Sequence, residues 1–133
     1  MLRLVLPLLI LLSAPALAQS LAETSDCATA ITQQDLNICA EADWQEADAV
    51  LNDTYGNVMA AMKAMDADLP PALQGGETAL RTAQRAWITY RDANCTAAGF
   101  PMRGGSAEPL LVYGCLRQMT LDRTEELLAL IAY

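Results

Sequence analysis

LNICAEADWQEADAVLNDTYGNVMAAMKAM, residues 36–65, is the stretch whose reading decides the fold. Its apolar positions Leu36, Ala40, Trp44, Ala47, Leu51, Tyr55, Val58, Met62 and Met65 recur at spacings of three and four without an internal proline, the pattern of one long amphipathic helix. Upstream, Thr32 offers a hydroxyl cap, and Asp35, three residues on, comes close to a capping box while favouring the positive end of the helix dipole. Downstream, Pro70 and Pro71 followed by Gly75 and Gly76 cannot continue the helix, which should end near Asp66.

A second helix is predicted from Glu77 to Ala98, with Leu80, Ala83, Trp87, Tyr90 and Cys95 along its apolar side and Gly99 as its stop. Gly99 to Ser106, with three glycines and Pro101, reads as a loop. Ser106 can then cap a third helix that tolerates Pro109 in its first turn and carries Leu110, Cys115, Met119, Leu127, Leu130 and Ile131. No stretch alternates like a strand. Short connections between long helices imply antiparallel neighbours, so the expected fold class is all-α, a small up-down-up three-helix bundle.

Before this domain, Met1 to Ala18 combines Arg3, an apolar run from Leu4 to Leu12 and a small-residue exit at Ala16-Leu17-Ala18. That is the layout of a secretory signal cleaved after Ala18, leaving a domain over 19–133. The run is too short to span a bilayer, and Pro7 and Pro15 interrupt it, so no membrane insertion is expected after cleavage. The predicted location is the periplasm or the exterior. Loss of Arg3 leaves seven of the eight basic side chains against all sixteen acidic ones, a net charge of −9. Such acidity excludes nucleic acid and anionic lipid as partners and points to basic proteins.

Four cysteines, Cys27, Cys39, Cys95 and Cys115, in an exported chain read as two structural disulfides. Folding the first two helices back around residue 67 sets Cys39 level with Cys95 and brings Cys27 and Cys115 to the same end. That favours Cys39 with Cys95 and Cys27 with Cys115, while the local set, Cys27 with Cys39 and Cys95 with Cys115, stays open. No metal site is expected, because the chain has no histidine and no CxxC pair. The same fold-back faces Asp48 and Asn52 of the first helix with Gln84 and Arg91 of the second, a polar network able to fix helix register.

Chemistry is scarce. Without histidine there is no Ser-His or Cys-His nucleophile, oxidised cysteines do not attack, and no carboxylate sits beside a phosphate cradle or nucleophile motif. No enzymatic activity and no cofactor are expected.

Several stretches together carry a resemblance: Cys27-Ala28-Thr29-Ala30 with Asn37-Ile38-Cys39-Ala40, then Leu51-Asn52 and Tyr55, then Ala83-Gln84-Arg85-Ala86-Trp87 with Tyr90-Arg91-Asp92 and Cys95. Gly104-Gly105-Ser106, Cys115-Leu116, Thr120, Arg123 and Leu127 complete it. In order and spacing the set resembles the LprI-like lysozyme-inhibitor family over essentially the whole mature chain. The resemblance implies a bacterial envelope protein that binds a basic lysozyme. The namesake is a lipoprotein, whereas no cysteine here directly follows the signal, so membrane tethering is not implied. An acidic body would steer the protein to such a target, and the loop is the candidate contact: Phe100 for an apolar subsite, Arg103 for a catalytic carboxylate, and Gly104, Gly105 and Ser106 as hydrogen-bond donors. The alternative is an adaptor domain that meets another envelope protein through a helix face bearing Met59, Met62 or Met65.

Overall fold

The computed structural model describes residues 26–132, so the expected signal at 1–18 lies outside the described residues. Three helices follow one another: α1 (Gln33–Ala67), α2 (Gly76–Gly99) and α3 (Glu108–Ala129), with 3-10 turns at Pro71–Leu73 and Phe100–Met102 in the connections. No strand occurs among the described residues, and two disulfides are formed, so the fold is the all-helical one that the periodicity predicts.

α1 starts as the sequence suggests. Thr32 is its N-cap, its hydroxyl accepting from the Asp35 N–H at 3.1 Å and donating to the Asp35 carboxylate at 2.6 Å. At the other end, Asp66 joins α1 to α2. Its carboxylate accepts from the N–H groups of Gly75, Gly76 and Glu77 at 2.9–3.0 Å, capping α2, whose preceding Gly75 sits at φ 142°. Those three bonds, that from Glu77 foremost, hold the Asp66 carboxyl below its ordinary range.

The core is Leu51 and Val58 of α1, Leu80 of α2 and Leu127 of α3, with Tyr55, Met59, Met62, Trp87 and Ile131 packed against it. Truncating a fully buried leucine such as Leu127 removes about 2–5 kcal/mol. α1 packs more extensively on α3 than on α2.

Two expectations change. The inner face of α2 is Leu80, Gln84, Arg91 and Cys95, not the stripe through Ala83 and Tyr90; Tyr90 is 61% exposed. Polar side chains hold the inward positions because each finds a partner there. α3 likewise buries Leu116, Thr120, Thr124 and Leu127, the Thr124 hydroxyl donating to the Thr120 carbonyl at 3.0 Å.

The favoured disulfide pairing is corrected. Cys27 bonds Cys39 and Cys95 bonds Cys115, with Cα separations of 5.6 and 5.4 Å. Shared height does not suffice. A turn at Asp26, whose carboxylate accepts from the Ala28 N–H and the Thr29 hydroxyl, folds Cys27 back on the start of α1 and beside Cys39. The buried Cys95 instead meets the first turns of α3, so each bridge staples neighbours in sequence.

Candidate functional site

The loop between α2 and α3 is built by three constraints. Gly99 is buried where α2 meets α3, and a Cβ there would lie 2.6 Å from Val112 Cγ2, so only glycine allows this approach. The Cys95–Cys115 bridge ties the two helices beneath it. Glu108, in the first turn of α3, closes the loop: Oε1 accepts from Arg103 Nη1 at 2.6 Å, and Oε2 from the Gly104 N–H at 2.7 Å. Gly104 turns the chain at φ 76°, and the Gly105 N–H donates to the Met102 carbonyl at 2.8 Å. The Gly104 amide, then Arg103 by hydrogen bond and charge, hold the Glu108 carboxyl below its usual range against the opposing effect of burial.

What this scaffold presents is apolar and cationic. Phe100 is 59% and Met102 50% exposed, and the Arg103 guanidinium stacks 5.2 Å from the Phe100 ring centre. The Gly104 and Gly105 amides, expected to face a partner, are engaged inside the loop. Ser106 does not cap α3; Ala107 occupies that position without a side-chain bond, and the Ser106 carbonyl accepts from Asn37 Nδ2 at 2.9 Å, pinning the loop to α1. The Ser106 hydroxyl is left exposed. Sequence reasoning missed Glu108 as the clamp; an acid five residues after an arginine, across Gly104-Gly105, is the signal that marks it.

Below the loop a polar and aromatic spine runs through the bundle. Tyr113 stacks on Trp44 with ring centres 5.7 Å apart. The buried Arg91 guanidinium follows, 5.8 Å from the Trp44 ring centre and 5.0 Å from that of Trp87, and Arg123 lies 5.9 Å from Trp87 on the α3 side. Arg91 donates to Asp48 at 3.0 Å, to Asp92 at 2.9 Å and to the Thr120 hydroxyl at 3.5 Å. Arg123 donates to Gln84 Oε1 at 3.0 Å and to Glu126 at 2.8 Å. Asn52 donates to Asp48 at 3.0 Å. The residues read as a register network therefore lie together, though Asn52 and Gln84 do not bond each other. Two indole faces and two aspartates offset the desolvation of the Arg91 charge. Burial pushes the Tyr113 phenol up, and the Glu41 carboxylate beside it adds to the shift.

Of the adaptor candidates, Met59 and Met62 pack on the core and only Met65 is exposed. Among the described residues no group of acids and cysteines is placed to hold a metal ion, and no helix is long and apolar enough to cross a membrane.

An uncharacterized protein of Rhizobium meliloti strain 1021 is 53% identical over 125 residues, spanning 92% of this chain and 88% of that protein. No solved structure matches the chain. A family model described as lysozyme inhibitor LprI matches residues 24–127, from three positions before Cys27 to the core residue Leu127, and the chain therefore belongs to the LprI lysozyme inhibitor family.

Proposed function

We propose that this protein is exported to the periplasm or beyond by the segment 1–18, cleaved after Ala18, and there binds and inhibits a basic lysozyme through the loop 99–106. Family membership supports the inhibitor class. The observation that carries the loop is the exposed Phe100–Arg103 stack on a connection fixed by a disulfide, a buried glycine and a carboxylate clamp. Pre-organisation of that kind lowers the ordering cost of association.

The mechanism follows from charge and shape. The cleaved chain, with its net charge of −9, attracts a basic enzyme over a Debye length, raising the encounter rate. At contact, Phe100 and Met102 enter an apolar subsite. The Arg103 guanidinium keeps one N–H on Glu108 and turns others of its five donors towards a catalytic carboxyl. Glycoside hydrolysis needs one carboxyl of the pair protonated, and a guanidinium beside it favours the ionised form, so the general acid is lost as the cleft is filled.

Lysis assays with the oxidised protein test this. Phe100→Ala and Arg103→Ala should each weaken inhibition roughly tenfold or more, as expected for anchors at the centre of an interface. Inhibition should also weaken as salt rises. Equal potency of both variants removes the loop from the mechanism. No inhibition by the parent protein at any concentration removes the lysozyme reading and returns the case to an adaptor.

A further inference from the structure

Midway along the helices, away from the loop, α1 and α2 part to leave a groove of about 270 Å³ lined by Asn52, Tyr55, Arg81, Gln84, Arg85 and Ile88. Its construction follows from spacing. Arg81, Gln84, Arg85 and Ile88 stand at i, i+3, i+4 and i+7 on α2, opposite Asn52 and Tyr55, which are three apart on α1. α2 leans on α3 through Arg123 and Gln84, and its contact with α1 is the slighter one, which leaves the space.

Gln84 is the telling residue. Its side chain is buried, with 7% of the residue exposed, and its Oε1 is committed to Arg123. Its Nε2 donates to no group among the described residues, yet it is not sealed off: the fully buried side-chain nitrogen without a partner among those residues is Trp44 Nε1, which lies outside the groove. Gln84 lines the groove, and an amide with two N–H bonds to give wants an acceptor. The rim supplies charge of the right sign. Arg85 has no ion pair within the described residues, and Arg81 pairs only with Glu77 one helical turn away, an exposed bond that exchanges readily. Asp48, one turn before Asn52 on the facing helix, is already engaged by Arg91 and Asn52. Tyr55 and Ile88 add apolar wall.

We propose that this groove is a binding site for a small carboxylate carrying a short apolar branch. The carboxylate bridges the Arg85 guanidinium and Gln84 Nε2, Arg81 closes over it after leaving Glu77, and the branch lies against Ile88 and the Tyr55 ring. A guanidinium beside an amide donor matches two carboxylate oxygens, whereas the apolar wall offers nothing to a fully hydrated phosphate.

The test is a titration of the 15N-labelled, oxidised protein, read at the Gln84 side-chain amide and the Arg85 backbone amide. The probes are N-acetyl-leucine, its neutral carboxamide, acetate, inorganic phosphate and an acetylated tripeptide ending in leucine with a free terminus. The expected result is saturable shifts centred on the groove, with the carboxamide, acetate and phosphate each about tenfold weaker than N-acetyl-leucine, the loss of one good polar or apolar contact. Tighter binding of the tripeptide identifies a chain end as the source, and tighter binding of N-acetyl-leucine a free acid. Gln84→Glu keeps the acceptor towards Arg123 while replacing the donor by an anion, and should abolish the shifts. Arg85→Gln, at an exposed position, should weaken binding about tenfold with an unchanged melting temperature. Overturning results are equal affinity for acid and carboxamide, tighter binding of phosphate, shifts centred elsewhere, or undiminished binding by Gln84→Glu.

Discussion

Replacing Gly99 by alanine sets two effects of opposite sign against each other. Gly99 closes α2 with φ −75° and ψ −17°, a conformation that any residue adopts. On backbone grounds alone, alanine should therefore stabilise by about 0.5–1 kcal/mol. Against this, the new Cβ would lie 2.6 Å from Val112 Cγ2, 3.4 Å from Glu108 Cγ and 3.7 Å from the Glu108 carbonyl. Val112 is β-branched on a helix and has little rotamer freedom to retreat, so α2 and α3 must separate by some tenths of an ångström. Overpacking of this sort costs about 1–3 kcal/mol. The net expectation is a loss of about 1–2 kcal/mol, a fall of roughly 4–10 °C in melting temperature for a domain of this size. Because Glu108 is among the displaced atoms, the Arg103 clamp shifts too, and inhibition should weaken more than stability explains. Thermal melts of Gly99→Ala, Val112→Ala and the double variant check the cause. The double variant should recover most of the alanine penalty, with a coupling of about 1 kcal/mol. An unchanged or higher melting temperature for Gly99→Ala, or additive effects in the cycle, would refute the close-packing account.

Arg91→Ala should destabilise by about 2–4 kcal/mol in urea melts, because Asp48 loses its buried partner and two indole rings lose the charge between them, while Arg91→Met should cost less than half of that. Removing Cys95 and Cys115 together should cost about 2–5 kcal/mol and impair inhibition at temperatures where circular dichroism still reports full helix; removing Cys27 and Cys39 should cost a similar amount and spare the loop. Asp66 and Glu108 both have carboxyls held below their ordinary values of 3.8 and 4.5, so the unfolded chain binds protons first as pH falls. Their stabilisation is therefore complete above about pH 5 and is lost below about pH 4 as the folded carboxyls protonate; Asp66→Asn should flatten that acid limb in melts taken from pH 7 to pH 2.

The helices were legible because the features that define them are local. Thr32 and Asp35 mark the start of α1, and Pro70, Pro71, Gly75 and Gly76 mark the break after it. Which side of a helix turns inward is not local. On α2, hydrophobicity alone selects the side with Ala83 and Tyr90, yet the chain buries Gln84 and Arg91. The reason is pairing: Arg123 comes from α3, Asp48 from α1, and Trp44 and Trp87 flank Arg91 from two helices. A buried guanidinium becomes tolerable only once all of these are in place. The fold-back sets Asp48 opposite Arg91, but no window of sequence brings Arg123 and the two indoles to them.

The disulfides show the same division between local and distant information. Equal height in the bundle is a weaker constraint than a covalent bond needs, since Cα atoms must approach within about 7 Å with their Cβ atoms converging. The turn at Asp26 and the short loop after Gly99 achieve this between neighbours, leaving no sulfur bridge from α1 to either of the other helices. α1 is thus held to its neighbours without sulfur, by the Arg91–Asp48 pair, the Trp44–Tyr113 stack, the Asp66 cap on α2, the Asn37–Ser106 bond and the apolar core, whereas the loop bearing Phe100 and Arg103 has a disulfide beneath it as well as its hydrogen bonds. That separation has a physical consequence. Loss of the spine should loosen the whole bundle cooperatively, while loss of the Cys95–Cys115 bridge, at a comparable cost in stability, should loosen first the end that carries the proposed contact loop.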